Sequence, residues 1–221
     1  MMMRKILAGM AWSGVVFASG GASAYAWMHG KQPASHAQSR TKAIVSQAKQ
    51  SDARVILLGD SISEMALLPQ LCGKDVLNAG LGGANAAQVK TIAADILPGR
   101  KADLVVIAVG VNDAVGQAPT DTSAFTASYR QIITLAKATG ARVVAVNVEP
   151  VVKANRIFDP KRIEAENRII ASMGVPTIDL WSAMRQPGTE WLPDSYSDDG
   201  THPNPAGYSH WKAAVGKSCE A

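Results

Sequence analysis

Cysteine is nearly missing from this sequence: there are two in 221 residues, Cys72 and Cys219. They stand too far apart for the C-x-x-C spacing of a redox centre or zinc site, which leaves two free thiols or one structural disulfide. Positive charge is present but never concentrated. The 22 Lys and Arg are scattered among 18 Asp and Glu, so a nucleic-acid partner, which needs a basic face, is not expected. Nor is there an uninterrupted apolar run of the roughly 20 residues that span a bilayer. The nearest approach is residues 6–18, broken by Gly9, Ser13 and Gly14, with Arg4 and Lys5 before it and the small-x-small triplets Ala22-Ser23-Ala24 and Ala24-Tyr25-Ala26 after it. That order is the layout of a secretory signal peptide. Residues 1–26 are therefore expected to be removed on export, giving a secreted or periplasmic chain that starts near Tyr25 or Trp27 and has no stable membrane insertion; an uncleaved anchor is the alternative. Losing Arg4 and Lys5 lowers the formal net charge from +4 to +2. An oxidising destination tilts the cysteine question toward a Cys72–Cys219 bridge.

Apolar sequence is plentiful, at 47% of residues, enough for the core of one domain of this length. Residues 27–40, polar and small around Pro33, read as a linker and 41–221 as the folded body. Within it, β-branched runs at 54–58, 76–78, 104–109, 142–148 and 177–180 alternate with stretches of helical period at 85–97, 121–139 and 160–173. A last helix is expected after Asn204, with Asn204 as cap and Pro205 at the first helical position. Strand–helix alternation predicts the α/β class, a parallel sheet with helices on both faces. Such sheets bind ligands beyond the carboxyl ends of their strands. Here each run empties into an unusual cluster: Gly59-Asp60-Ser61, then Asn78 through Gly83, then Gly110-Val111-Asn112-Asp113, then Glu149-Pro150, and finally Asp198 through Asn204. These clusters are expected to share one rim.

Ser61 has two readings. Ser61-Ile62-Ser63-Glu64 fits the S-x-x-E capping box, in which the serine oxygen accepts a backbone N–H. As a nucleophile it would instead need a base, ordinarily a histidine oriented by a third group. Of the four histidines, His29 and His36 fall in the signal and linker, and His210 lies in a helical stretch that turns it from the rim, which leaves His202. Asp199 stands three positions before it, with Gly200 between to let the chain turn, so one short segment supplies both base and orienter; Asp194 and Asp198 are nearby substitutes. The plainer role for His202 is a surface residue at the mouth of the last helix. An Asp-rich loop with a histidine also suggests a metal, but no second histidine or cysteine lies at ligand spacing, so no metal or other cofactor is expected. Acyl transfer further needs donors aimed at a developing oxyanion. The Ser61 N–H at a helix start, the Gly83 N–H and the Asn112 side-chain amide are candidates, each also readable as plain turn chemistry.

Taken together, "GDS", "NAGLGG", "GVND" and "DGTHPN" resemble, in order and spacing, the sequence blocks of the SGNH or GDSL hydrolase family over about residues 55–204. The resemblance implies a flavodoxin-like three-layer α/β/α sandwich with a central five-stranded parallel sheet, and ester hydrolysis. It implies Ser61 as nucleophile, Gly83 and Asn112 with the Ser61 N–H as the oxyanion hole, and Asp199 with His202 as the remaining catalytic pair. Ile62 departs from the leucine of the family name, a conservative change.

Other classes fit less well. Ser63 stands where the G-x-S-x-G elbow of ordinary α/β-hydrolases has glycine. A dinucleotide-binding reading of Gly80-x-Gly82 fails at Asn85. A phosphoacceptor receiver lacks the lysine after the last strand. A non-catalytic secreted carbohydrate-binding protein on the same scaffold is opposed by the intact Ser61, Asn112, Asp199 and His202. The ester stays open between lipid-type or thioester substrates and acetylated polysaccharide: Met65, Leu67 and Leu68 read as an acyl wall or a core stripe, and Trp181 and Trp191 as flanks for lipid or sugar. A monomer acting on a small-molecule, glycan or lipid ester is expected.

Overall fold

Val-Ile-Leu-Leu-Gly, residues Val55–Gly59, is buried at every position and forms the central strand β1. A run with no polar face fits only a strand covered on both sides, which is what the helices of a parallel sheet provide. In the computed structural model, which describes residues 35–116 and 122–221, β1 pairs in parallel with β3 (Lys74–Gly80) on one side and β4 (Leu104–Ala108) on the other. Beyond β4 follow β5 (Arg142–Val146) and β6 (Thr177–Ile178), both parallel. With β2 (Gln70–Leu71), the order is β2-β3-β1-β4-β5-β6.

The sheet thus has six strands where the sequence predicts five. The extra one, β2, pairs antiparallel with β3 at its edge. Two residues carry no alternation to read. The strand exists because Cys72 and Gly73 both take positive φ, 56° and 70°, and form a two-residue hairpin whose twist suits the flanking strands.

The helices are α1 (His36–Gln50), α2 (Ser61–Met65), α3 (Ala86–Ile96), α4 (Ser123–Lys137), α5 (Pro160–Ala171), α6 (Leu180–Met184) and α7 (Pro205–Gly216). The crossovers β3→β4, β4→β5 and β5→β6 all step the same way, so right-handedness puts α3, α4 and α5 on one face. There α1 packs on α3, α3 on α4 and α4 on α5, while α6 and α7 pack on each other. The result is a three-layer α/β/α sandwich, as the sequence predicts.

Several boundaries follow local chemistry. Asn85 and Gln88 form a reciprocal capping box at α3, and Asn204 accepts the Ala206 and Gly207 N–H groups with Pro205 in the first turn of α7. Helix α1 has no counterpart among the elements expected from sequence. Its apolar face is thin, with only Ile44 and Ala48 buried. It takes His36 to Arg40 out of the expected linker 27–40, so the folded body begins earlier than residue 41. Of the remaining linker only Ser35 falls within the described residues. Residues 27–34, His29 among them, lie outside the described residues, as do the expected signal segment 1–26 and Asp121 at the expected start of the 121–139 helix. Cys72 and Cys219 form a disulfide with Cα atoms 5.4 Å apart, tying the β2–β3 turn to the end of the chain.

Candidate active site

Gly59-Asp60-Ser61 leaves the carboxyl end of β1 and enters α2 at once, under tight steric limits. A Cβ on Gly59 would lie 2.1 Å from Ser63 Oγ and 2.6 Å from the Ala108 carbonyl oxygen. One on Gly80, at the end of β3, would lie 2.3 Å from the Glu64 backbone nitrogen. Glycine at both strand ends is what lets α2 sit down on the sheet.

The cap of α2 is Asp60, not Ser61. Asp60 Oδ1 accepts the Ile62 N–H at 3.0 Å, and Ser61 is the first helical residue. Glu64 does not close a capping box either; its carboxylate accepts the Gly82 N–H. Ser61 Oγ is therefore free of the backbone, and it lies 2.9 Å from His202 Nε2. On the far side of the ring, His202 Nδ1 lies 2.6 Å from Asp199 Oδ2. With Nδ1–H donating to the carboxylate, the Nε2 lone pair faces the serine hydroxyl.

Local hydrogen bonds set that geometry. Asp199 Oδ1 accepts the N–H groups of Thr201 and His202, both at 2.8 Å. These bonds and the imidazole hold the Asp199 carboxyl down at about 2, outweighing the upward effect of partial burial. Gly200 turns the chain at φ 86°, a left-handed conformation natural to glycine, and a Cβ there would meet Val152 Cγ2 at 2.8 Å. The Ser197 hydroxyl accepts the Gly200 N–H and donates to the His202 carbonyl, while Asn155 Nδ2 donates to the Gly200 carbonyl and Thr201 Oγ1. The Tyr208 hydroxyl donates to the Ile62 carbonyl at 2.8 Å, joining α7 to the serine helix. Nothing in the sequence singles out Ser197, Asn155 or Tyr208, because their partners are distant or backbone. Of the substitutes for Asp199, Asp198 is engaged by Asn204 Nδ2, and the His202 ring contacts Asp199. His210 stacks on Tyr196, centroids 4.5 Å apart.

Two of the three other clusters are linked to each other. Asn112, in the short turn Val111–Ala114 after β4, gives one amide hydrogen to the Ala84 carbonyl at 3.1 Å and keeps a second. Asp113 Oδ2 accepts the Ala86 N–H at 2.8 Å. Both bonds fasten the turn after β4 to the turn after β3. Gly83 is exposed, with φ 72°, and a Cβ there would meet nothing within 4 Å, so glycine is present for its left-handed backbone rather than for space.

Behind the serine the polar groups are buried. Burial pushes the Asp60 carboxyl up to about 7 and that of Glu149 to about 8, with the Asp60 charge adding to the rise at Glu149. Trp181 is buried in the core, so it does not flank a ligand, whereas Leu67 and Met65 are exposed at 81% and 46% and are not a core stripe.

The polar clusters thus gather at the strand ends of a mostly parallel three-layer sandwich, the rim where open α/β sheets bind their ligands. The chain belongs to the GDSL-like Lipase/Acylhydrolase family, whose model matches residues 57–210. Among solved structures it is similar to a GDSL-like lipase from Bacteroides thetaiotaomicron (22% identity, 81% of this chain and 97% of that one, TM-score 0.68) and a lipase/acylhydrolase from Enterococcus faecalis (24%, 74% and 93%, 0.61). It is also similar to an acetylxylan esterase from Geobacillus stearothermophilus (17%, 77% and 95%, 0.63). Two structures of that esterase are described as catalytic mutants, one of an aspartate and one of a histidine three positions later. No curated protein matches by sequence.

Proposed function

We propose that this protein is a serine esterase working through Ser61, His202 and Asp199. The observation that carries the reading is the relay of contacts from Ser61 Oγ to His202 Nε2 at 2.9 Å and from His202 Nδ1 to Asp199 Oδ2 at 2.6 Å. The aspartate–histidine spacing of the Geobacillus esterase's catalytic mutants supports it.

In this reading Ser61 Oγ bonds to the ester carbonyl carbon while His202 Nε2 takes the hydroxyl proton. The carbonyl oxygen becomes an oxyanion, met by the N–H groups of Ser61 and Gly83 and the free amide hydrogen of Asn112. His202 returns the proton to the departing alcohol oxygen as that C–O bond breaks, leaving an acyl-Ser61. Water then attacks the acyl carbon, His202 takes its proton and passes it to Ser61 Oγ, and the acid leaves. Asp199 keeps the ring oriented and stabilises its cationic form.

Labelling with a fluorophosphonate tests the nucleophile: Ser61 is expected to carry the adduct, and active enzyme labelled elsewhere or not at all would overturn the assignment. A series of p-nitrophenyl esters from acetate to palmitate, run beside acetylated xylan, separates a lipid-type esterase from a polysaccharide O-acetylesterase. The kinship with an acetylxylan esterase fold supports the second substrate class, and the exposed Leu67 and Met65 the first. Export is part of the proposal, supported by the signal-like residues 1–26 and by the disulfide, a bond of oxidising compartments. N-terminal sequencing of exported protein should return a start near Tyr25 or Trp27; a start at Met1 would refute cleavage.

A further inference from the structure

Five consecutive N–H groups line the turn after β3, and four are already taken. Gly80 N–H goes to Asn78 Oδ1 at 2.9 Å, Leu81 N–H to the Gly59 carbonyl at 3.0 Å, and Ala84 N–H to the Leu81 carbonyl at 3.0 Å. Gly82 N–H goes to Glu64 Oε2 at 2.5 Å. Only Gly83 N–H has no acceptor among the described residues. Three of the four acceptors are local or in the strands; Glu64 is a side chain of the nucleophile's own helix, three residues past Ser61.

Glu64 is itself held. Its side chain is 17% exposed, with Arg40 Nε 3.5 Å from Oε1 and His36 Nε2 3.1 Å from the same oxygen. Arg40 also donates from Nε to the Gly80 carbonyl at 3.0 Å and from Nη2 to the Asn78 carbonyl at 2.8 Å. Asn78 Nδ2 closes the ring by donating to the Ser63 carbonyl at 2.8 Å. Helix α1 therefore clamps the end of β3, the turn after it and α2 into one unit.

We propose that Glu64 is a positioning residue: by accepting the Gly82 N–H it fixes the 81–84 turn relative to Ser61, so that of this turn's N–H groups only that of Gly83 is offered to the oxyanion, beside the Ser61 and Asn112 donors, and α1 holds Glu64 in place through Arg40. A turn without this anchor could rotate the 82–83 peptide and withdraw the donor. The inference rests on the oxyanion role proposed above for Gly83. It also gives the S-x-x-E spacing a purpose other than capping.

The test compares Glu64→Ala and Glu64→Gln with wild type for kcat and KM on p-nitrophenyl acetate, affinity for a trifluoromethyl ketone transition-state analogue, and Tm. Glu64→Ala is expected to lower kcat by about 10- to 100-fold, as for a small misplacement of an oxyanion donor and short of its complete loss, which costs about 10²–10³-fold. KM should stay within about threefold, and analogue affinity should fall in step with kcat. Glu64→Gln, whose amide oxygen still accepts the Gly82 N–H, should restore kcat to within a few-fold. Should Glu64→Ala fail to fold, Gly82→Ala serves instead: its Cβ would lie 3.1 Å from Glu64 Oε2 and 3.3 Å from His36 Nε2, loosening the same bond. A folded Glu64→Ala or Gly82→Ala with wild-type kcat and analogue affinity overturns the inference, as does a Gln variant no better than Ala. Wild type that hydrolyses esters without fluorophosphonate labelling at Ser61 would instead overturn the nucleophile reading, and this inference with it.

Discussion

Ser61 and His202 stand 141 positions apart and meet at 2.9 Å, so substitutions at the two should not add. Ser61→Ala and His202→Ala are each expected to lower kcat by more than about 10³-fold, and the double variant to be scarcely worse, because residues acting as one unit lose their whole effect together. Steady-state ester hydrolysis on purified single and double variants checks this; additive losses would mean independent roles. Because the cap is Asp60, Ser61→Ala should leave the urea midpoint nearly unchanged, where a lost helix cap would cost about 1 kcal/mol. Asp199→Asn is expected to be milder than either. Its carboxyl, held down at about 2, is ionised throughout the neutral range, and in the proposed mechanism it acts through the His202 ring, orienting it and stabilising its cation without bonding to the substrate.

Among the elements, α2 is tightly constrained. It sits where Gly59 and Gly80 leave room, and a side chain at either position collides with backbone atoms. Gly80→Ala is expected to cost about 1–3 kcal/mol in urea unfolding, the usual range for overpacking, and to lower the specific activity of the folded fraction by shifting Ser61. Unchanged activity would show that α2 tolerates displacement. The elements also differ in how plainly a sequence announces them. Helices α3 and α7 carry their own start signals in Asn85 with Gln88 and Asn204 with Pro205. Strands β1 and β4 are unbroken apolar runs. Helix α1, with two buried residues, and β2, with two residues in all, have no such signature, since each is held by contacts to other parts of the chain.

For the whole molecule, two features set the response to conditions. The Cys72–Cys219 bridge spans 147 residues, and in the chain-entropy model closing a loop of that length stabilises by about 5 kcal/mol. Reduction, or Cys72→Ser with Cys219→Ser, should lower the unfolding free energy from urea titration by several kcal/mol while leaving the folded enzyme active; an unchanged midpoint would show that the bridge constrains little. The second feature is the set of buried carboxyls. Burial raises Asp60 to about 7, Asp113 to about 6, and Glu149 and Glu166 to about 8. A raised folded pKa means that the folded state holds protons the unfolded chain has released between about pH 4.5 and 8. Stability should therefore fall as pH rises through that window, by at most about 1.4 kcal/mol per pH unit for each group. Urea midpoints from pH 5 to 8 check the sign, and Glu149→Gln, neutral at every pH, should flatten the slope.

The sequence by itself determined the class: unbroken apolar runs demand a sheet covered on both faces, and helical periods between them demand parallel crossovers, while the clusters that follow the strands mark Ser61, Gly83, Asn112, Asp199 and His202 as candidate site residues. It also placed Asp199 beside His202, because a spacing of three across a glycine is a local matter. What only the tertiary structure decided is everything that depends on residues far apart in the chain. It chose Asp60 over Ser61 as cap, since Ser61 Oγ finds His202 rather than the backbone. It turned Glu64 from a capping-box partner into the acceptor of the Gly82 N–H, and it made helix α1, in a stretch whose sequence is mostly polar, the clamp on the turn after β3. Local patterns record backbone preference and burial, whereas the partner of a side chain is fixed by which strand ends the topology sets next to one another.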